Sequence, residues 1–472
     1  MNRQSVPEVI RQRFGREFVP APEAVGVIQS GDRVWVHSGC AVPQVLLDAM
    51  VERYEELHDV EVVHLLGVNE APYVRPEMKG HFRHNAFFIG RNVRQAVFEG
   101  RADFTPIFLS EIPALLRHRQ FPIDVALIHV SPPDEHGFCS FGVGVECTKA
   151  ATDVAKVVIA QVNPSMPRSL GDSFIHVSQI DYCVEVEGPL MELPQPEGEE
   201  SAEELEVSEK LGAHVANLVE DGATLQLGIG RIPDAVLHHL GDRKNLGIHS
   251  EMVSDGIIPL VESGVITNKK KTLLPGKIVT SFVLGSHRLF EFIDDNPLME
   301  FRPTDFTNDP FTIAQNSKMV AINSALSIDL TGQACADSLG KTFYSGFGGH
   351  VDFMRGAARS EGGKPVLALP STAKNRTLSR IMTQHPEGAG ITTSTGRACC
   401  GGRLWGPLTG NHRKSCSSYP SCRFLWGQPP SAVCRAQLDS YGEYKHATMR
   451  TGYPLLKSKS VRKSTMLAGN EF

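Results

Sequence analysis

Residues 224–251 read Thr224-Leu-Gln-Leu-Gly-Ile-Gly-Arg-Ile-Pro-Asp-Ala-Val-Leu-His-His-Leu-Gly-Asp-Arg-Lys-Asn-Leu-Gly-Ile-His-Ser-Glu251. Three elements are legible in them: an apolar strand at 224–228, a helix at 233–240 with Pro233 in its first turn, and a second short strand at 246–249. Strand, helix and strand at this spacing make the βαβ unit of a parallel sheet. The glycine turn at 228–230 opens the helix, which is local geometry for holding an anion on backbone N–H groups. Glu251 closes the second strand. One carboxylate and one anion cradle therefore stand at neighbouring strand ends.

Outward from this unit the same alternation continues. Toward the N-terminus, strands are expected at 33–37, 60–66, 105–109, 125–130 and 156–162, with helices at 23–29, 43–56, 111–117 and 148–154. Toward the C-terminus, a helix is expected at 202–220 and strands at 278–283, 319–322 and 365–369. The acidic, proline-bearing segment 192–201 separates the two runs. The expected fold class is α/β, with two open, mostly parallel α/β domains at 1–191 and 202–395.

At 472 residues, 41% hydrophobic and 21% charged, the chain has the composition of a soluble globular protein of two or three domains. A net charge of −6 gives no reason to expect nucleic-acid or membrane partners. The start of the chain has four arginines but no apolar signal core, and no run reaches the ~18 apolar residues of a membrane span. A cytoplasmic location is expected. Residues 396–472 differ from the rest, with 12 Lys+Arg against 3 Asp+Glu, five of the ten cysteines and two of the three tryptophans. Cys399, Cys400, Cys416 and Cys422 lack paired C-x-x-C spacing and His412 is isolated, so a zinc site is not expected there.

The turn Gly228-x-Gly230-x-x-Pro233 has two thirds of a dinucleotide-binding fingerprint, with Glu251 near the place of its ribose-binding acid. Pro233 occupies the position of the third glycine, which argues against that use. A plain strand-to-helix turn is the simpler explanation for this segment taken alone. Residues 345–357 (Ser-Gly-Phe-Gly-Gly-His-Val-Asp-Phe-Met-Arg-Gly-Ala) add four glycines around one acid and one base. They are expected to form a ligand-approaching loop, clamped by Asp352 with Arg355.

These segments occur in order with His249–Gly256, Pro310, Ala314-Gln315-Asn316, Gly332-Gln333 and Pro370-Ser-Thr-Ala-Lys374. Ser131-Pro-Pro-Asp134, Gly137-Phe138 and Gly171-Asp172-Ser-Phe-Ile-His176 precede them. Together they resemble the acetyl-CoA hydrolase/transferase family, and most closely its 4-hydroxybutyrate and butyrate CoA-transferase branch, over about residues 8–395. The resemblance implies that Glu251 is the nucleophile. It implies CoA contacts at Gly228, Ile229, Gly230, Arg231 and Ile232, and further ones at Gly348, Gly349, Ser371 and Lys374. It implies coenzyme A as substrate, no permanently bound cofactor or metal, and a homodimer or higher homo-oligomer. One departure is His350, where relatives commonly have Gln; a histidine's charge there would vary near neutral pH.

The expected reaction is CoA transfer between an acyl-CoA and a short-chain carboxylate through a glutamyl-CoA thioester. With a reference pKa of about 4.3, Glu251 is expected to be ionised without a general base. Three alternatives stand beside it: acetyl-CoA hydrolysis at the same site, a non-catalytic CoA-binding protein, and an NAD-dependent oxidoreductase. The resemblance stops near residue 395. With one permitted choice of codons, a one-base frame change across residues 396–406 gives a continuation like that of relatives, so the tail is expected to be out-of-frame or disordered.

Overall fold

A computed structural model describes residues 10, 11, 15, 17–194, 202–373 and 377–393, with the backbone alone at 397–400 and 403–405. Seven strands form the first sheet, in the order Ala102–Phe104, Phe82–Ala86, Val60–His64, Arg33–Val36, Val125–Val130, Val157–Val162, Tyr182–Glu185. Every pairing in it is parallel. Chain order reverses at Arg33–Val36, so the crevice for a ligand opens beyond its C-terminal end, at His37 to Gly39.

The second sheet follows the same logic. Gly247–Ile248 and Met319–Asn323 flank Thr224–Leu227 on either side, and Lys364–Leu369 follows, all parallel. Its point of reversal is the end of Thr224–Leu227, where the glycine turn begins. The largest apolar cluster runs through both sheets, from Trp35 and Ile128 to Phe282, Phe301 and Ala368.

Most expected elements form within a few residues of their bounds; Val125–Val130 and Thr148–Val154 form as expected. No strand forms at 105–109; the strand there is Ala102–Phe104, and Leu109–Glu111 is a short 3-10 turn. In the first sheet two strands were not anticipated, Phe82–Ala86 and Tyr182–Glu185. The first reads Phe-Arg-His-Asn-Ala, and its polar residues hid it. His84 is buried because its Nδ1 hydrogen-bonds Val62 O at 2.8 Å and its ring stacks 4.3 Å from that of His64.

The expected loop at 345–357 is also corrected, because His350–Arg359 is a helix. Gly356 sits where that helix crosses Pro310–Ala314, and a Cβ there would collide with Ile313. It is a packing glycine. In the atypical tail, Arg397–Cys400 pairs parallel with Lys364–Leu369 and antiparallel with Arg403–Trp405. These two strands continue the second sheet. The rest of the tail, and most of the acidic segment, lie outside the described residues.

Candidate active site

Main-chain hydrogen bonds hold Glu251 from both sides. Before it, His249 N donates to Leu225 O at 3.0 Å and Ser250 N to Val279 O at 3.0 Å. Its own carbonyl accepts from Ser281 N at 2.9 Å, Phe282 N at 3.1 Å and Thr280 Oγ1 at 3.2 Å. The buried Lys271 ammonium donates to Ile248 O and Lys277 O, each at 2.7 Å. Burial pulls that lysine down to about 7. His249 Nε2 bonds Thr307 O at 2.9 Å, which fixes the short helix Thr304–Thr307 beside the strand end.

That helix delivers Asn308, whose Nδ2 donates to Glu251 Oε2 at 2.8 Å. The Gly349 N–H donates to the same carboxylate. A Cβ at Gly349 would fall on Glu251 Oε2 and on Asn308 Nδ2, so only glycine lets the loop come this close. The expectation of an ionised, unperturbed Glu251 needs correcting. Burial raises it to about 7, against the opposing pull of the Asn308 and Gly349 hydrogen bonds.

The glycine turn follows the strand Thr224–Leu227, where Ser250, the residue before Glu251, donates from its Oγ to Leu227 O at 3.1 Å. Gly230 adopts φ +103° and precedes the helix Arg231–His238, whose first N–H groups have no intrahelical acceptor. A narrow recess there is lined among others by Gly228, Ser250, Met252 and Ile257, without Glu251. Ile229 and Ile232 pack against the large apolar cluster. Arg231 lies 3.5 Å from Glu204 as an ion pair. Gly348 has φ +51°. Ser371 follows the strand Lys364–Leu369, and its carbonyl accepts from Arg380 N at 2.9 Å. Lys374 lies outside the described residues.

Two further expectations change. His350 is buried, its Nε2 has no partner, and burial lowers it to about 4. Its imidazole is therefore neutral, and its charge does not vary near neutral pH. Asp352 does not clamp Arg355, which is exposed. Its Oδ2 accepts from Ser110 N at 3.1 Å and its Oδ1 from Ser110 Oγ at 2.9 Å. Burial first, and the nearby Glu251 charge further down, raise Asp352 to about 7.

Asn308, Ser110, Lys271 and Glu146 were not singled out from the sequence. Glu146 is 1% exposed, and burial raises it to about 7. Its Oε1 accepts from Thr148 Oγ1 at 2.8 Å, and its main chain bonds Ser281 O and Thr304 N. Only Asn308 left a local trace, in Asn-Asp-Pro at 308–310. Asp309 there caps the following helix by accepting from Thr312 N at 2.9 Å.

Comparison with known proteins now decides the family. The model of the acetyl-CoA hydrolase/transferase N-terminal domain matches residues 1–191, and that of the C-terminal domain matches 285–399. A 4-hydroxybutyrate coenzyme A transferase of Clostridium kluyveri is 49% identical over 381 residues, covering 81% of this chain and 87% of the relative.

This chain belongs to the acetyl-CoA hydrolase/transferase family.

A succinyl-CoA:acetate/propanoyl-CoA:succinate CoA transferase of Fasciola hepatica, similar to this family member, is 46% identical over 388 residues, covering 81% of this chain and 79% of the relative. The crystal structure of a Porphyromonas gingivalis 4-hydroxybutyrate CoA-transferase superposes with a TM-score of 0.73 at 34% identity. That likeness spans 93% of this chain and 100% of the other. In this acetyl-CoA hydrolase/transferase family member, Glu251 and the glycine turn lie between the two matched domain models.

Proposed function

We propose that this family member transfers CoA between an acyl-CoA and a short-chain carboxylate of the 4-hydroxybutyrate or butyrate type, with Glu251 as nucleophile. The observation that carries this is the buried Glu251 carboxylate held by Asn308 Nδ2 and the Gly349 N–H. In its ionised form Glu251 attacks the thioester carbonyl and expels CoA thiolate, leaving an acyl-glutamyl anhydride. The thiolate then attacks the glutamyl carbonyl, breaks the anhydride C–O bond and releases the first acid as carboxylate. A second carboxylate runs the two steps in reverse. Donors already aimed at the reacting carboxyl need no reorganisation as oxyanion charge develops, an effect of roughly 3–4 kcal/mol per donor in comparable sites. The CoA phosphates would meet the glycine turn and the N-terminal end of the helix Arg231–His238.

Hydrolysis at the same site is the second reading. It is favoured by a single feature, the shared covalent intermediates that water could also attack. The test is to incubate the full chain with acetyl-CoA and excess butyrate and separate the products. Butyryl-CoA formed at the expense of acetyl-CoA is expected. Glu251→Ala is expected to lower the rate by at least about 10³-fold, while Glu251→Asp retains a trace. Free CoA alone would show a hydrolase, and full activity in the alanine variant would remove Glu251 from the mechanism.

A further inference from the structure

In sequence the loop 345–349 lies between two strands of the second sheet, Met319–Asn323 and Lys364–Leu369, but it rests on the first. Its leading end is tied by Ile89 N, which donates to Ser345 O at 2.7 Å, and by Arg94 Nε, which donates to Tyr344 O at 2.8 Å. The Arg94 guanidinium also lies 3.9 Å from the centre of the Tyr344 ring. Its trailing end runs into the helix His350–Arg359, where Asp352 takes both donors of Ser110 and is 1% exposed. Among the described residues no cation pairs with Asp352. Between the two ends the loop is bedded on aromatic rings. Gly346 faces Phe88 and Phe104, and Phe347 lies 5.6 Å from Phe108, ring centre to ring centre. The last residue of this plug, Gly349, donates to Glu251.

We propose that Ser110 and Asp352 form a latch between the two sheets that positions the Gly349 N–H and keeps water from the covalent intermediate, so that this pair sets transfer against hydrolysis. The proposal rests on the transferase function above. In the glutamyl-CoA stage, an acceptor carboxylate attacks the glutamyl carbonyl, the C–S bond breaks and CoA leaves as thiolate. Water attacking the same carbon breaks the same bond, and Glu251 returns as carboxylate with free CoA and one proton released. Both attacks need only access to one carbon. What separates them is whether the loop stays seated when that carbon is exposed to the acceptor.

Ser110 and Asp352 are positioning residues, acting on the reacting carbonyl only through Gly349. The test compares the parent chain with Ser110→Ala, Asp352→Asn and the double variant, measuring free CoA released per butyryl-CoA formed. Loss of a hydrogen bond to a charged acceptor is expected to raise that ratio by about tenfold. KM for acetyl-CoA is expected to stay unchanged, and the double variant to resemble the worse single one. A second readout needs no activity: amide hydrogen exchange in 345–350 is expected to quicken in both single variants, while exchange in 224–227 does not. A constant ratio with a slower rate, or unchanged exchange in the loop, would overturn the latch. If the parent releases free CoA only, the transferase reading fails, and loop exchange alone then decides whether the latch exists.

Discussion

At Glu251, burial and hydrogen bonding pull in opposite directions. Removing the carboxylate from water raises it, the Asn308 and Gly349 donors lower it, and burial wins, leaving it at about 7. The anion that the proposed mechanism uses therefore becomes more abundant as pH rises through neutrality. The kcat/KM of CoA exchange is expected to climb about tenfold from pH 6 to pH 8 on a single ionisation. A flat profile over that range would mean that another group carries the limb. Stability follows the opposite sign. An unfolded glutamate titrates near 4.3, so the folded state holds this proton more tightly. The stability this gives is full below about pH 4 and is lost as pH rises through 7. Glu251→Gln cannot ionise, so relative to the parent it should gain about 2 kcal/mol between pH 5 and pH 8, read from thermal or denaturant unfolding. The type of this residue was legible in the sequence. Its altered acidity was not, because Asn308 and Gly349 reach it from 57 and 98 positions away.

Among the elements, the loop 345–349 and the helix after it show how glycine misleads. Four glycines in 13 residues read as one pliable loop, yet Gly356 serves helix packing against Ile313 and Gly349 serves approach to Glu251. Gly349→Ala is expected to fold, with at least about 10²-fold loss of exchange, because its methyl group would displace both the carboxylate and Asn308. Near-parent turnover in a folded Gly349→Ala chain would mean that this N–H takes no part. The strand Thr224–Leu227, the turn and the strand Gly247–Ile248 were legible because local hydrophobicity and glycine placement specify them. The strand Phe82–Ala86 was not, because its buried histidine and asparagine are accommodated only by neighbours on other strands.

At the scale of the whole molecule, six buried imidazoles among the described residues (His37, His64, His84, His129, His249 and His350) are lowered by loss of water. Three buried carboxyls (Glu146, Glu251 and Asp352) are raised for the same reason. The histidines favour folding above about 6.5 and oppose it as pH falls toward 4; the carboxyls act the other way from about 7 down to 4. With twice as many imidazoles, the chain is expected to lose net stability from pH 6.5 to pH 4.5, by several kcal/mol in denaturant titrations at fixed temperature. A flat or rising stability over that range would show that water reaches these histidines. The sequence by itself determined the alternation of strands and helices, the parallel sheets and the glycine turn, because each depends on residues within a few positions of one another; the proposal of the Glu251 carboxylate as nucleophile came instead from the resemblance to the family. Tertiary structure alone decided which donors meet that carboxylate, how acidic it is, and that Ser110 reaches Asp352 across 242 positions. Those depend on packing one sheet's loops against the other's. No local pattern encodes that distance.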